Sequence, residues 1–423
     1  MISKERPTEC FVCITLPGET EFVTAGRFEL TTDRHGVATG RFVYGQSYLT
    51  RKNAVPLDPI ELKLRKGTYQ TTALKGVFGA IRDASPDYWG RRVIEKYAGK
   101  AEPGEIDYLL YSPDDRAGAL GFGLNKEPPA PRRTFNQTLE LERLQTLAEL
   151  IIADEELPQG AEAEQVQGLM VGGTSMGGAR PKAVVEDEDG LWIAKFHHPE
   201  DKWNDARVEH AMLILARECG LQTVKSKVVA IGEHDALLVK RFDREHTKTG
   251  YRRGRMISAL TLLRADENYQ NRANWSYLLL VEELRRISSQ PRTDAAELFR
   301  RMCFNALISN VDDHPRNHAV VAMNTDWKLS PAYDLTPSTP ISIERRDLAL
   351  ECGDMGRYAH VENLLSQAAR FLLEPGIANN TIDTIEEIVK NKWRHIARKQ
   401  GVTEKDCEKI ASAFAYPGFR LKM

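Results

Sequence analysis

Apolar positions near the start of the chain come in short runs separated by polar turns. Cys10-Phe-Val-Cys-Ile-Thr-Leu16 reads as a strand, and Phe28, Leu30, Phe42 and Val43 lie among turns such as Thr31-Thr-Asp-Arg-His-Gly36. Helical text follows in Asp87-Tyr-Trp-Gly-Arg-Arg-Val-Ile-Glu-Lys96. Over 137–156, Leu139, Leu141, Leu144, Leu147 and Leu150 recur at near-helical spacing, which predicts a second helix. Between these lies Lys126-Glu-Pro-Pro-Ala-Pro-Arg-Arg133, Pro-rich and charged as connections are, which places a subdomain boundary there.

From 168 to 240 the pattern alternates. A glycine-rich loop leads to a strand Lys182–Val185, a turn Asp187–Gly190 and a strand Leu191–Phe196. A helix Val208–Cys219 is stopped by Gly220, and strands Val228–Ile231 and Ala236–Val239 follow. From about 258 the text is mostly helical, with Asp294 and Glu297 read as a capping box opening a helix Leu298–Ile308. No solenoid-type repeat is seen.

With 423 residues, 42% of them hydrophobic, the chain can fill two or three domain cores, which excludes disordered and collagenous classes. No run of about 18 apolar residues suggests a membrane span. The start, MISKERPTEC, has no apolar stretch after its charges, so a cytoplasmic protein is expected. A net charge of −2 argues against a globally basic nucleic-acid binder, so contact with DNA is expected to be local or supplied by a partner. The six cysteines are sparse. Cys10 and Cys13 sit three apart on a strand, on opposite faces, and are read as core thiols rather than a metal pair.

Four clusters carry chemistry. Gly172-Gly-Thr-Ser-Met-Gly-Gly-Ala-Arg-Pro-Lys182 has no Gly-Lys-Ser/Thr ending and precedes a strand, so it is neither a Walker loop nor a dinucleotide-binding turn. It is a flap over phosphates or a surface turn. Lys195, among apolar neighbours, is either an edge lysine in solvent or the partner of Glu209 on the next helix, a pair able to hold phosphates. In Cys303-Phe-Asn-Ala-Leu-Ile-Ser-Asn-Val-Asp-Asp-His-Pro-Arg-Asn-His318 an apolar helix runs into a polar burst that places Asn317 five residues after Asp312, the spacing of a kinase catalytic loop. A zinc site there would use His314 and His318, but carboxylate and amide oxygens suit magnesium better. Asp334 follows 22 residues after Asp312, where a kinase places its second metal carboxylate.

Arg241-Phe-Asp-Arg244 follows a strand and reads as a connector near adenine, with Phe242 equally suited to a core. Lys390, Lys392, Arg394, Arg398 and Lys399 on a C-terminal helix, and Arg252, Arg253 and Arg255 in a loop, read as solvated faces, with phosphate-backbone contact as the alternative.

In this order the clusters resemble the HipA family, serine/threonine kinase toxins of bacterial type II toxin–antitoxin systems. Leu49–Leu64, Phe78–Arg92 and Asp114–Phe122 are similar to its N-terminal subdomain. Gly177–Lys182, Val239–Arg244, Asn310–Asn317 and Tyr333-Asp334 are the most specific matches. The resemblance implies an α+β, protein-kinase-like two-lobe fold: an extra N-terminal subdomain over 1–133, a mixed, β-rich N-lobe over 134–245 and an all-helical C-lobe over 246–423. It implies ATP and magnesium as cofactors. The nucleotide-binding set would be Gly173, Thr174, Ser175, Met176, Gly177, Lys195, Glu209, Lys240, Phe242 and His314. Asp312 would be the catalytic base, Asn317 and Asp334 the metal ligands, and Ser175 the autophosphorylation site that switches the enzyme off.

Asp313 beside Asp312, and Thr174 beside Ser175, are alternatives for those two roles. The implied partner is a helix-turn-helix antitoxin that carries the DNA contacts in an autorepressing complex. The family's protein targets include aminoacyl-tRNA synthetases. Two other readings are a kinase-like scaffold acting mainly as corepressor, and a metal phosphohydrolase built on Asp312, Asp313, His314 and His318.

Overall fold

The computed structural model describes residues 7–98, 103–155, 180–339 and 342–422. The chain divides into two units: Met1–Ala194 with Arg241–Thr261 and Val321–Asp326, and Lys195–Lys240 with Leu262–Val320 and Trp327–Met423.

The first unit is built on an antiparallel sheet of β1 (Glu9–Thr15), β2 (Phe22–Thr32), β3 (Ala38–Tyr44), β4 (Thr68–Thr71) and β5 (Leu120–Gly123), in the order β4-β3-β2-β1-β5. β-Branched and aromatic residues dominate these strands because they pack well on a pleated, half-buried surface. The turn between β2 and β3 is made by Asp33, whose Oδ1 accepts from His35 N at 2.8 Å and Val37 N at 2.9 Å, and by Gly36 at φ +80°. In β3, a Cβ on Gly40 would lie 1.8 Å from the carbonyl oxygen of Gly76, so only glycine allows that approach. Strand β1 is an internal strand, between β2 and β5, and both of its faces are covered. Cys10 and Cys13 are therefore both buried free thiols, and burial pushes the Cys10 thiol up to about 12.

The helix α1 (Tyr88–Ala98) starts where Asp87 Oδ1 accepts from Gly90 N at 2.9 Å, satisfying a helix-end donor. The other oxygen of Asp87 lies 2.7 Å from Lys182 Nζ, a buried ion pair, and Trp89 Nε1 donates to the Lys182 carbonyl at 3.1 Å. Lys182 ends the glycine-rich motif, so the start of its strand is tied to α1. The helix expected over 137–156 is α2 (Leu141–Ile152). A tight turn precedes it, because Glu140 folds back to accept from Gln137 N at 2.7 Å, and Leu139 is left 94% exposed instead of joining the apolar stripe. Lys182–Asp187 and Gly190–Lys195 pair as a hairpin, its turn held by Asp187 Oδ1, which accepts from Asp189 N and Trp192 Nε1.

Two quoted motifs of this unit meet. Asp243, fully buried, takes Arg241 Nη2 at 2.7 Å, Arg244 Nη1 at 2.6 Å and the amide of Gly118 at 2.8 Å. Burial opposes its charge, but the two guanidiniums more than offset this and hold its carboxyl well below the usual range. Arg253 and Arg255, expected in a loop, are instead buried strand residues. Arg253 pairs with Asp114 at 2.9 Å and Arg255 donates to the Pro56 carbonyl, because those chain segments offer acceptors that a sequence pattern does not display.

The second unit is mostly helical, with a hairpin of Ser226–Ile231 and His234–Lys240 and a short strand at Lys328–Leu329. Its helices include α3 (Asp205–Glu218), α4 (Tyr277–Ile287), α5 (Pro291–Leu307) and α6 (Pro375–Lys399). Asn204 caps α3 by accepting from Arg207 N at 3.0 Å, and Gly220, at φ +82°, ends it.

The expected capping box at Asp294 and Glu297 is not one. Pro291, with its φ preset and no amide to lose, starts α5 earlier. Asp294 instead takes Ser288 Oγ at 2.6 Å and Leu329 N at 2.8 Å, while Glu297 takes Gln222 N at 3.1 Å. The basic residues of α6 are largely paired: Lys390 with Glu386, Lys392 with Glu218, and Arg394 and Arg398 with Glu404. Among the described residues no helix is long and apolar enough to cross a membrane.

Candidate functional site

Lys195 ends the hairpin strand and belongs to the second unit. Its side chain is 7% exposed, and Nζ lies 2.8 and 2.9 Å from the two Glu209 oxygens and 2.7 Å from Asp334 Oδ1. Glu209 is presented by α3, just beyond its capped first turn. Burial alone would lower the lysine pKa, but Asp334 and Glu209 more than offset this and raise it, so the ammonium stays charged. Lys195 is a buried cation between two carboxylates rather than an edge lysine in solvent.

Asp334 has φ +59°, a left-handed conformation uncommon for a residue with a side chain. Such strain persists where surrounding structure imposes it. Here Tyr333 Oη donates to the Arg316 carbonyl at 2.9 Å, tying this turn to the Asp312–Asn317 loop, and Asn310 Nδ2 approaches the Asp334 carbonyl at 3.5 Å.

The acids of that loop separate sharply. Asp313 is buried. Its Oδ2 receives Tyr277 Oη and lies 2.9 Å from His318 Nε2. Tyr277 in turn accepts from Asn305 Nδ2 at 3.2 Å, and Asn305 Oδ1 accepts from Asn310 Nδ2 at 3.1 Å. A buried chain of hydrogen bonds thus runs from His318 to the backbone of Asp334. Burial and then Asp313 raise the Tyr277 pKa, which keeps its hydroxyl a donor. Asp312, by contrast, is exposed, and its Oδ1 receives the hydroxyl of Tyr269.

Asn317 is buried and its Nδ2 donates to the Asp312 carbonyl at 3.3 Å, which leaves the amide oxygen as its remaining side-chain acceptor. The Asp334 carboxylate and the Asn317 carbonyl are hard oxygen donors, the kind that suits magnesium. His318 is committed to Asp313, which is incompatible with its use as a zinc ligand through Nε2. Among the described residues no group of three His, Cys, Asp or Glu is arranged to hold a metal. His314 is half-buried, with its ring edge-on to Tyr269 at 6.5 Å and Trp275 at 6.4 Å.

Lys240 ends its strand, with its amide on the Lys225 carbonyl at 2.8 Å, and Phe242, of the first unit, is half-buried. Gly173, Thr174, Ser175, Met176 and Gly177 lie outside the described residues. Sequence reasoning missed Tyr269 and Tyr277, and assigned no role to Tyr333, although it lies in the quoted Tyr333-Asp334 motif. No local motif marks the first two, since each meets the loop only through tertiary folding.

Residues 174–412 match the HipA-like C-terminal domain and residues 23–123 the HipA N-terminal domain. A Sinorhizobium fredii protein named "Putative kinase Y4mE" is 24% identical over 329 residues, 73% of this chain and 74% of that protein. A Haemophilus influenzae protein similarly named as a kinase is 26% identical over 189 residues, 40% of this chain and 54% of that one. Among solved structures, HipA from a Shewanella oneidensis MR-1 complex of HipA, HipB and operator DNA matches with TM-score 0.67 at 16% identity. That match covers 96% of this chain and 94% of that chain. Two domain matches that together take in most of the chain, and a fold shared almost end to end, lead to one conclusion: the chain belongs to the HipA family and has its protein-kinase-like α+β fold.

Proposed function

We propose that this chain is an ATP- and magnesium-dependent protein serine/threonine kinase, the toxin of a type II toxin–antitoxin pair. The observation that carries the reading is Lys195, held between Glu209 and Asp334 by contacts of 2.7 to 2.9 Å. A kinase needs a fixed cation for the α/β phosphates and a carboxylate beside it for the metal. A lysine with no catalytic use is a costly thing to bury between two acids.

Asn317 and Asp334 would hold magnesium, which when bound neutralises charge on the triphosphate. Lys195 orients the phosphates, and Glu209 orients Lys195. By the family resemblance, Lys240 and Phe242 would each meet adenine, and His314 would add a nucleotide contact. Asp312, exposed beside the buried Asp313 whose Oδ2 is held by Tyr277 and His318, accepts the proton of the acceptor hydroxyl as its oxygen bonds to the γ-phosphorus and ADP leaves. By the family resemblance, Gly173, Thr174, Met176 and Gly177 would meet the phosphates, and Ser175 would be the internal acceptor. A phosphate there would repel the triphosphate and shut the site.

The solved relative with HipB and operator DNA supports a helix-turn-helix antitoxin as partner, through which DNA is reached. An aminoacyl-tRNA synthetase is the proposed class of protein acceptor. The test is transfer of labelled γ-phosphate in the presence of magnesium. Incorporation that disappears in Asp312→Asn is expected. No incorporation, with antitoxin binding intact, favours the corepressor scaffold.

A further inference from the structure

The acceptor side of the loop carries a feature that phosphoryl transfer does not require. Tyr269 comes from the segment Asp266–Trp275, 43 residues before Asp312 in the chain, and its hydroxyl donates to Asp312 Oδ1. This is not a wandering side chain. Its ring packs edge-on against the buried Trp275 at 4.8 Å, and the Arg272 guanidinium lies 5.5 Å above it. Trp275 Nε1 is anchored on the Asp266 carbonyl at 2.9 Å. The same segment makes a second tether to the loop, from Glu267 to Arg316. Tyr269 is nevertheless 45% exposed, so it sits at the surface rather than in the core.

We propose that Tyr269 is a specificity-determining residue of the acceptor side: its hydroxyl occupies Oδ1, one of the two Asp312 oxygens, so an acceptor hydroxyl that bonds there enters by displacing it. This rests on the reading of Asp312 as the proton acceptor. An acceptor hydroxyl and the tyrosine hydroxyl make the same kind of hydrogen bond to the same carboxylate, so they compete. Burial, and then the bond to Asp312, raise the Tyr269 pKa, so it remains a hydrogen-bond donor at neutral pH. An acceptor able to replace that bond and add contacts of its own gains entry. Water, which brings none, displaces the tyrosine less readily, and ATP hydrolysis is slowed.

The experiment uses the full chain with ATP and magnesium, and water as the acceptor. The water oxygen bonds to the γ-phosphorus, the bond to the β-phosphate bridge breaks, Asp312 takes the proton, and ADP and phosphate are released. Because one hydrogen bond is worth about 0.5–1.5 kcal/mol net, Tyr269→Phe is expected to raise kcat for ADP release about two- to ten-fold with KM for ATP unmoved. Glu267→Gln, which loosens the strap but leaves the tyrosine, should raise it by less. The gain should vanish when Asp312→Asn is added to Tyr269→Phe. A kcat that stays level or falls in Tyr269→Phe, while ADP release remains dependent on Lys195, overturns this proposal and leaves the kinase reading standing. Labelled-phosphate transfer to protein by the wild type that is no greater than by Lys195→Met overturns both. A purely structural role would show as a lower melting temperature without the rise in kcat.

Discussion

His318 Nε2 lies 2.9 Å from Asp313 Oδ2, with both side chains only 2% exposed, while the adjacent Asp312 faces outward. Two neighbouring acids therefore have opposite commitments. Asp312→Asn should abolish phosphoryl transfer with little change in melting temperature. Asp313→Ala should lower stability by about 3 kcal/mol, because it strands the Tyr277 hydroxyl and the His318 ring in the interior. Parallel thermal melts and labelled-phosphate assays check this. Full activity in Asp312→Asn would remove it as the base.

Lys195→Met should lose transfer and also stability, since Glu209 and Asp334 would face each other without the cation. The sign with pH follows from the raised lysine pKa. The stabilisation is fully present below the ordinary lysine value and is lost only as pH rises through the higher folded value. The stability difference between the wild type and Lys195→Met should therefore stay flat from about pH 6 to 9 and shrink only under strongly alkaline conditions. Denaturant melts across that range measure it.

Mass spectrometry after incubation with ATP should locate phosphate on Ser175. Modification confined to Thr174 would reassign the internal acceptor. Ser175→Asp should weaken ATP binding through like-charge repulsion, and equilibrium dialysis with ATP would reveal an unchanged affinity if the switch does not exist.

All six cysteines are buried and free. At pH 8 the native protein should resist a thiol reagent such as DTNB, and all six should titrate in guanidinium chloride. Rapid labelling of the native chain would contradict the packing of β1, where the raised pKa of Cys10 adds to its shielding.

Where sequence text carried a local signal, it led to the right structure. The hairpin around Asp187–Gly190, the α3 helix with Gly220 at its end, and the turn at Asp33–Gly36 all have their determinants within a few residues. Local text misled where a distant partner competed. Asp294 and Glu297 look like a cap but are claimed by Leu329 N and Gln222 N. Leu139 shows that a local contact can also mislead: it fits a helical stripe but is turned outward by the fold-back of its neighbour Glu140. Tyr269 and Tyr277 were invisible for a related reason: a tyrosine is an ordinary core or surface residue until folding brings an aspartate to its hydroxyl.

The left-handed backbone at Asp334 bears on how its chemistry can be dissected. Alanine scanning would confound two effects there, deleting a carboxylate and leaving a β-carbon in a geometry that costs about 1–2 kcal/mol without the short polar side chain that eases it. Asparagine keeps the shape and tolerates the twist, so it isolates the charge. Glycine does the reverse, relaxing the twist while erasing the ligand. Comparing these two replacements would separate how much of this position is held for reactivity and how much for architecture.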